Sequence, residues 1–256
     1  MNVLKSIAII PARFESTRFP GKPLAEIAEK PMIRHVYERV CRARRISKTI
    51  VATDDIRIAE TVRLFGGVAQ MTSPLHRSGT DRVAEVAVTT DADLVVNVQG
   101  DEPLIDPECL DALLEPFDYE PGLMISTLSN IGTSEEELYS PHVVKVVVDV
   151  QGYALYFSRS PIPYGRFVNQ SLKRPRFYKH IGLYVYRRAF LQQLSQLKES
   201  LLEQTEGLEQ LRFLENGFRI KVVSTLYQSL AVDTPEDLIR VNALMKEQAW
   251  QPNLSS

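Results

Sequence analysis

Short apolar runs alternate with amphipathic stretches through the first half of the chain. Short, β-branched apolar runs at 3–10, 49–52 and 94–98 are bounded by turn-forming or charged residues, as buried strands are. Between them, segments 31–45, 54–65, 79–89 and 107–115 repeat their apolar residues at the 3.6-residue spacing of helices packed on a sheet. This βαβα order predicts an α/β fold with a mostly parallel central sheet and helices on both faces.

After about residue 123 the pattern changes to strands with fewer helices between them. It predicts strands at 124–130, 143–149, 153–158, 180–186 and 219–224, a proline-containing loop at 161–178 and a helix at 206–216. A last helix should start at Thr234, with Pro235 in its first turn. We interpret residues 1–256 as one domain, in which roughly 123–190 form a smaller mixed-sheet extension for a second substrate or a dimer contact.

The composition excludes several classes of function. The 256 residues are 44% hydrophobic, enough for a sizeable core. With 30 basic and 32 acidic residues the chain has no general attraction for nucleic acid or an anionic membrane, so any phosphate binding must be local. No apolar run reaches the roughly 18 residues of a membrane span, and Cys41 and Cys109 lack disulfide or metal-ligand spacing. We expect a cytoplasmic protein with two inert thiols.

A basic loop at 11–24 follows the first predicted strand, and open α/β sheets bind ligands at the carboxyl ends of their strands. Its cations are Arg13, Arg18 and Lys22. It is not a Walker loop, because Lys22 is followed by proline, and the glycine fingerprint of dinucleotide-binding proteins is missing. Guanidinium groups bind phosphate in a fork and an ammonium adds a point charge. A basic loop can also be a solvated connection, but its place after the first strand favours phosphate binding.

Two aspartates are candidates for a metal site. Asp101 follows the strand at 94–98 and a glycine that permits close approach, and Asp233 precedes the last helix. Mg²⁺ prefers oxygen ligands and is usually held by one or two carboxylates together with substrate phosphates. Each aspartate alone is equally well explained as a helix cap. Together they predict a magnesium site if the fold brings them close.

Two further groups of residues are open to two interpretations. Segment 76–82 precedes a helix with Ser78 or Thr80 as cap, and its backbone can read a base edge or form an ordinary helix start. His180 lies on a predicted strand, where a single histidine is more often structural than catalytic. The other members of this group are Arg159, Tyr184 and the helical pair Glu209 and Gln210, which would ordinarily be a solvated face.

Taken together, these motifs closely resemble the 3-deoxy-manno-octulosonate (Kdo) cytidylyltransferases, also called CMP-Kdo synthetases. The shared wording runs from Ile9 to about Val241: P-A-R-x-x-S-T-R-x-P-G-K-P-L at 11–24, V-A-T-D at 51–54, H-x-S-G-T-x-R at 76–82, V-N-V-Q-G-D-E-P at 96–103, Y-A-L-Y-F-S-R at 153–159, H-x-G-x-Y at 180–184, L-E-Q-L-R at 208–212 and V-D-T-P-E-D-L at 232–238. CMP-sialic acid synthetases share the P-A-R opening but differ around S-T-R and in the later motifs.

The resemblance implies a Rossmann-like nucleotidyltransferase fold and a site for each substrate. CTP would be bound by Pro11, Ala12, Arg13, Arg18, Lys22, Ser78, Gly79, Thr80 and Gln99, with Arg13 and Lys22 at its pyrophosphate end, opposite the aspartates. Asp101 and Asp233 would hold Mg²⁺, and these two with Arg13 and Lys22 would be catalytic. Arg159, His180, Tyr184, Glu209 and Gln210 would line the sugar-acid pocket.

The resemblance also implies a reaction and an assembly. The enzyme would transfer CMP from CTP to the anomeric hydroxyl of Kdo, release pyrophosphate and so activate Kdo for lipopolysaccharide synthesis. A homodimer that binds neither nucleic acid nor membrane is expected. Two alternatives remain: a cytidylyltransferase for a related acid, such as 8-amino-Kdo or a sialic acid, and a non-catalytic nucleotide-binding module.

Overall fold

The computed structural model of the chain describes residues 4–15, 19–132, 134–165, 176–194 and 196–249, with 247–249 described by backbone alone. The backbone forms two compact units. Unit A comprises Lys5–Ala92, Asn97–Glu108 and the chain from Ser229 onward; unit B comprises Asp93–Val96 and Cys109–Gln228, with Leu4. The interpretation of 1–256 as one domain with an extension at 123–190 stays a prediction.

The elements along the chain are numbered in order. The strands are β1 (Ser6–Ala12), β2 (Glu26–Ile27), β3 (Lys30–Pro31), β4 (Lys48–Thr53), β5 (Ala69–Met71), β6 (Leu94–Asn97), β7 (Ile125–Ile131), β8 (Lys145–Val148), β9 (Ala154–Ser158), β10 (Tyr178–Arg187) and β11 (Ile220–Ser224). The helices are α1 (Met32–Val40), α2 (Ile56–Leu64), α3 (Gly79–Val88), α4 (Pro107–Leu114), α5 (Pro116–Tyr119), α6 (Glu135–Tyr139), α7 (Arg188–Leu194), α8 (Leu201–Glu206), α9 (Gln210–Glu215) and α10 (Pro235–Ala249), and a 3-10 turn covers Lys22–Leu24.

Unit A contains a parallel sheet in the order β1, β4, β5, with Ile9 opposite Ile50 and Ala52 opposite Gln70. Strand β1 is apolar and almost fully buried along its length, as expected for a parallel strand covered on both faces. Helix α10 adds a second apolar cluster to this unit, in which Val241 packs with residues of the β2–β3 region.

Helix starts in unit A follow the capping chemistry of the sequence. The Ser78 hydroxyl accepts a hydrogen bond from Asp81 N–H (3.1 Å) and begins α3, so the structure selects Ser78 as the cap. At α10, Thr234 and Asp237 bond reciprocally, because each side chain accepts from the other's backbone N–H. The predicted helix start at Thr234 is confirmed.

Unit B contains the mixed sheet that the second half of the sequence predicts. Strand β11 is parallel to β7, whereas β10 is antiparallel to β7, β8 to β10, and β9 to β8; β6 lies next to β10. The register between β10 and β7 shifts between Ile181 and Tyr184, so β10 bulges there. This bulge lies along β10 between His180 and Tyr184, two of the predicted sugar-acid residues.

The predicted α/β class is confirmed, and the predicted strands and helices differ from the observed ones mostly at their ends. The sequence did not predict the short elements β2, β3, β5 and α5 to α8. Helix α1 ends at Val40, five residues before the predicted end. The single helix predicted at 206–216 is wrong, because Gly207 adopts a left-handed conformation (φ 62°) that ends α8 before α9 begins. Part of the predicted loop at 161–178, residues 166–175, lies outside the described residues. No described helix is long and apolar enough to cross a membrane.

Candidate active site

A cavity of about 280 Å³ in unit A brings most of the predicted nucleotide-binding residues together. Its wall includes the predicted residues Pro11, Ala12, Arg13, Lys22, Ser78, Gly79, Gln99, Asp101 and Asp233. Pro23, His76, Arg77, Arg82 and Gly100 complete the described wall. Thr80 is buried within α3 and is not among these wall residues. Arg18 lies outside the described residues.

Backbone contacts explain why the loop after β6 meets the end of β1. The Val98 N–H donates to Ile9 O (3.1 Å), which holds the start of this loop against β1. A Cβ on Gly100 would lie 3.0 Å from Pro11 O, so only glycine fits here without displacing a neighbour. The glycine that the sequence marked for close approach therefore brings the loop of Asp101 against the end of β1.

The two candidate metal ligands are neighbours in the fold. The Val232 N–H donates to Asp101 O (2.9 Å), which sets the backbone of Asp233 beside the Asp101 loop. The Lys22 ammonium contacts both carboxylates, at 2.6 Å from Asp101 Oδ2 and 3.1 Å from Asp233 Oδ1. Lys22 therefore lies between the aspartates, not opposite them as the sequence analysis expected, because its four-carbon side chain crosses from the 3-10 turn to the pair.

Two further positive groups face the same cavity. Arg13 and Arg77 line the wall, and neither forms a hydrogen bond or ion pair with another described residue. Ser78 and Gly79 place the N-terminal turn of α3 at the wall, where backbone N–H groups and the helix dipole favour an anion. The arrangement suits a negatively charged ligand such as a polyphosphate.

Two polar pairs support this wall, and sequence reasoning did not select them as site residues. The buried Arg82 guanidinium donates to Asp54 Oδ2 (2.8 Å) and to the Thr72 hydroxyl. His76 Nε2 is hydrogen-bonded to the Glu85 carboxylate. The V-A-T-D motif at 51–54 and the H-x-S-G-T-x-R motif at 76–82 contained the signal, because they end in Asp54 and Arg82.

The donor set at the aspartates suits one kind of metal ion. Within the described ranges, no group of three or more His, Cys, Asp or Glu side chains could hold a metal ion. Asp101 and Asp233 instead offer two carboxylates that one ammonium can already reach. Two carboxylates completed by substrate phosphates are a typical environment for Mg²⁺, whereas structural zinc requires more protein ligands.

In unit B, His180 contacts a threonine hydroxyl and two aromatic rings. Its Nε2 is 2.9 Å from the Thr127 hydroxyl oxygen, and its ring packs against Phe157 and Tyr184, with centroids at 4.9 and 5.5 Å. Burial lowers the pKa of His180 to about 3. The imidazole is therefore neutral near pH 7 and has one donor and one acceptor nitrogen.

Two buried polar atoms of the predicted sugar-acid residues in unit B have no hydrogen-bond partner in the described part of the chain. They are Tyr184 Oη and Gln210 Nε2. Burial, and next the Glu209 carboxylate, raise the pKa of Tyr184 well above its ordinary value, so its hydroxyl keeps its proton. Buried polar groups are nearly always hydrogen-bonded in folded proteins. Each of these two atoms could therefore accept a polar ligand as its partner.

Arg159 is tied to the end of a helix in the same unit. Its guanidinium donates to three backbone carbonyls: Glu206 O (2.8 Å), Pro141 O (2.8 Å) and Gly207 O (3.3 Å). The Glu206 carboxylate in turn accepts a hydrogen bond from the backbone N–H of Arg159 (2.9 Å). A cation at the C-terminal end of α8 is favourable because the last carbonyls carry partial negative charge. Of the five guanidinium N–H groups, three donate to these carbonyls, and the other two have no partner among the described residues.

Comparisons with known proteins place the chain. The Cytidylyltransferase family model matches residues 7–221. A 3-deoxy-manno-octulosonate cytidylyltransferase of Trichlorobacter lovleyi is 54% identical over 251 residues, which are 95% of this chain and 100% of that protein. The chain belongs to the 3-deoxy-manno-octulosonate cytidylyltransferases. A second member of the family, from Geotalea uraniireducens, is also 54% identical, over 95% of this chain and 100% of its own.

A solved structure agrees with this family. It is a CMP:2-keto-3-deoxy-manno-octonic acid synthetase complexed with CTP, 46% identical to this chain, with a TM-score of 0.90 over 95% of this chain and 99% of the other. The resemblance stated from the motifs and the nucleotidyltransferase fold are both confirmed. The roles of the individual site residues stay predictions.

Sequence reasoning also missed Lys145, which supports the backbone at Arg159. Lys145 is fully buried, and its ammonium donates to the carbonyls of Ser140 (2.9 Å), Val143 (2.6 Å) and Arg159 (2.5 Å). Burial lowers the pKa of Lys145. In the sequence this lysine only interrupts a run of valines. Nothing there indicates that it donates a hydrogen bond to the backbone carbonyl of Arg159.

Proposed function

We propose that this chain transfers CMP from CTP to the anomeric hydroxyl of Kdo and releases pyrophosphate. The observation that carries the proposal is the cavity of unit A, where Arg13 and Arg77 face the same space as Asp101 and Asp233 and have no ion-pair partner among the described residues. Cations for a polyphosphate and a carboxylate pair for a metal ion are the two requirements of nucleotidyl transfer. The family membership and the CTP-bound relative support the same activity.

In this reaction the anomeric oxygen forms a bond to the α-phosphorus of CTP while the bond from that phosphorus to the β-phosphate oxygen breaks. The hydroxyl proton passes to solvent, and pyrophosphate leaves. Arg13 binds the phosphates and stabilises the negative charge that grows on the departing pyrophosphate. Lys22 adds a point charge at the aspartates, where its contacts place it. No covalent intermediate with the protein is needed.

Asp101 and Asp233 would hold Mg²⁺ in this proposal. Both carboxylates lie within reach of a single cation, since Lys22 Nζ contacts both. Magnesium bound there would neutralise phosphate charge and lower the pKa of the attacking hydroxyl. The two partly exposed carboxylates would supply the protein's oxygen ligands to the cation.

The cluster of unit B would recognise the acceptor. Neutral His180, protonated Tyr184 and Gln210 offer hydrogen bonds of both kinds, and Tyr184 Oη and Gln210 Nε2 have no other described partner. Arg159 adds a positive charge for the carboxylate of a sugar acid, with Glu209 close to Tyr184. A polyhydroxylated acid such as Kdo matches this mixture of groups.

A panel of acceptors tests the proposal. Purified enzyme with CTP and Mg²⁺ is assayed for pyrophosphate release with Kdo, 8-amino-Kdo and N-acetylneuraminic acid. We expect the largest kcat/KM with Kdo. Turnover confined to another acid would assign the enzyme to that acid, and CTP binding by calorimetry without turnover on any acceptor would favour a binding module.

The assembly and location are proposals as well. On the family resemblance we propose a homodimer in the cytoplasm. Sedimentation at micromolar concentration tests the first, and a monomer there would contradict it. Cell fractionation tests the second.

A further inference from the structure

Thr127 occupies a special position on β7, opposite the bulge of β10. Its hydroxyl oxygen lies 2.8 Å from Leu183 O, 3.2 Å from Ile181 O and 2.9 Å from His180 Nε2. The register shift between Ile181 and Tyr184 turns these carbonyls toward Thr127. One fully buried hydroxyl therefore contacts both the bulge and the imidazole.

Hydrogen-bond accounting fixes the direction of each contact. A threonine hydroxyl has one hydrogen to donate and two lone pairs that accept. The carbonyls of Leu183 and Ile181 can only accept, so the hydroxyl hydrogen is directed to them, and Leu183 O is the nearer. The contact with His180 is then satisfied only if Nε2 carries a hydrogen and donates it to Thr127. Neutral His180 must in that case keep its lone pair on Nδ1.

The geometry points to Thr127 as a positioning residue that fixes His180 as the Nε2–H tautomer, so that Nδ1 accepts a hydrogen bond from a hydroxyl of the sugar acid. Which nitrogen of a histidine is protonated is set by the partner of the other nitrogen. Nδ1 has no hydrogen-bond partner in the described part of the chain. The role of Nδ1 rests on the proposed sugar-acid substrate, whereas the tautomer does not.

The tautomer is measured on the free enzyme by ¹H–¹⁵N correlation across the imidazole ring. The protein has four histidines, and the His180→Gln variant assigns the His180 signals by their loss. We expect a protonated Nε2 and an unprotonated Nδ1 at pH 7. An unprotonated Nε2 in the wild-type enzyme would overturn the inference, and this experiment needs neither CTP nor a sugar acid.

Kinetics of two Thr127 variants test the consequence for the substrate. Thr127→Val keeps the shape and removes the hydroxyl, and Thr127→Ser keeps the hydroxyl. In Thr127→Val we expect the protonated nitrogen to change and the KM for Kdo to rise about tenfold, the equivalent of one hydrogen bond, with the KM for CTP within about twofold. Thr127→Ser should retain the wild-type tautomer and KM.

The outcomes separate this inference from the proposed function. A Thr127→Val enzyme with the wild-type tautomer and an unchanged KM for Kdo would refute the positioning role, as would equal losses for Kdo and CTP. If Thr127→Val does not fold, the wild-type tautomer and the Thr127→Ser kinetics still decide. Absence of turnover with every sugar acid, together with the expected tautomer, would refute the proposed function alone.

Discussion

Replacement of Lys22 by methionine removes an ammonium that contacts both Asp101 and Asp233. Methionine keeps most of the side chain's length and apolar stem, so the change is chiefly one of charge. The Lys22 side chain is 14% exposed, against 26% for Asp101 and 40% for Asp233. The substitution therefore leaves two partly buried carboxylates facing each other.

The size of the effect follows from the two contacts. The carboxylate oxygens are at most about 5.7 Å apart, the sum of the 2.6 and 3.1 Å distances, and at an effective dielectric constant of about 20 their repulsion is roughly 3 kcal/mol. The exposure of Asp233 to water reduces this value. We expect Lys22→Met to lower the free energy of unfolding by about 1–2 kcal/mol, or the melting temperature by roughly 2–8 °C.

Magnesium should reverse this loss, because a dication can take the position between the carboxylates. Thermal unfolding is followed in a titration of MgCl₂ against NaCl at matched ionic strength. We expect Mg²⁺ to raise the melting temperature of Lys22→Met more than that of the wild-type enzyme, and to have no such effect on the double variant Lys22→Met/Asp101→Asn.

A matched control is Lys5→Met, which removes a lysine paired with the exposed Asp91 at 2.6 Å. Exposed pairs contribute little, so this variant should change stability by less than about 1 kcal/mol and should not respond specifically to Mg²⁺. A Lys22→Met enzyme with wild-type stability, or one that NaCl stabilises as well as MgCl₂ does, would refute the reasoning about the carboxylate pair.

Three further substitutions test other parts of the structure. Gly100→Ala places a Cβ 3.0 Å from a carbonyl at the end of β1. We expect the free energy of unfolding in urea to fall by about 1–3 kcal/mol and the KM for CTP to rise. The control Gly122→Ala, with open space around it, should change neither. Lys145→Met removes the ammonium that donates to three backbone carbonyls, of which Ser140 O still accepts from the Val143 N–H. We expect a loss of about 1–3 kcal/mol in the free energy of unfolding and a KM that rises for the sugar acid but not for CTP. His180→Gln should reduce the dependence of the free energy of unfolding on pH. Between pH 6.5 and about pH 3 the histidine is protonated in the unfolded chain but not in the native protein. Acidification in this range therefore destabilises the wild-type enzyme by up to about 1.4 kcal/mol per pH unit, which unfolding in urea at a series of pH values would measure.

Local patterns in the sequence predicted the longer strands and several helix starts, because these depend on neighbouring residues. They did not predict the short strands β2, β3 and β5. The apolar run of β1 and the cap of α10 are examples: burial of β-branched residues and the reciprocal bonds of Thr234 and Asp237 are both encoded within a few positions. The helix predicted at 206–216 failed for a local reason as well, since its apolar spacing continues through Gly207 while the backbone there does not.

Contacts between distant segments could not be predicted from spacing alone. Asp101 and Asp233 became a pair only through the backbone bond from Val232 to Asp101, and the position of Lys22 between them depends on the path of the 3-10 turn. Thr127 gave no signal at all, because its role depends on a bulge in another strand. The family resemblance selected most of the wall of the cavity before any of these contacts was known.

The fate of the anomeric oxygen tests the central claim most directly. Kdo labelled with ¹⁸O at its anomeric hydroxyl is incubated with the enzyme, CTP and Mg²⁺, and the products are analysed by ³¹P NMR and mass spectrometry. Attack on the α-phosphorus predicts a CMP ester of Kdo that retains the label in its bridging oxygen, with unlabelled pyrophosphate in equal amount. A label found in pyrophosphate, or no CMP ester of Kdo at all, would contradict the account.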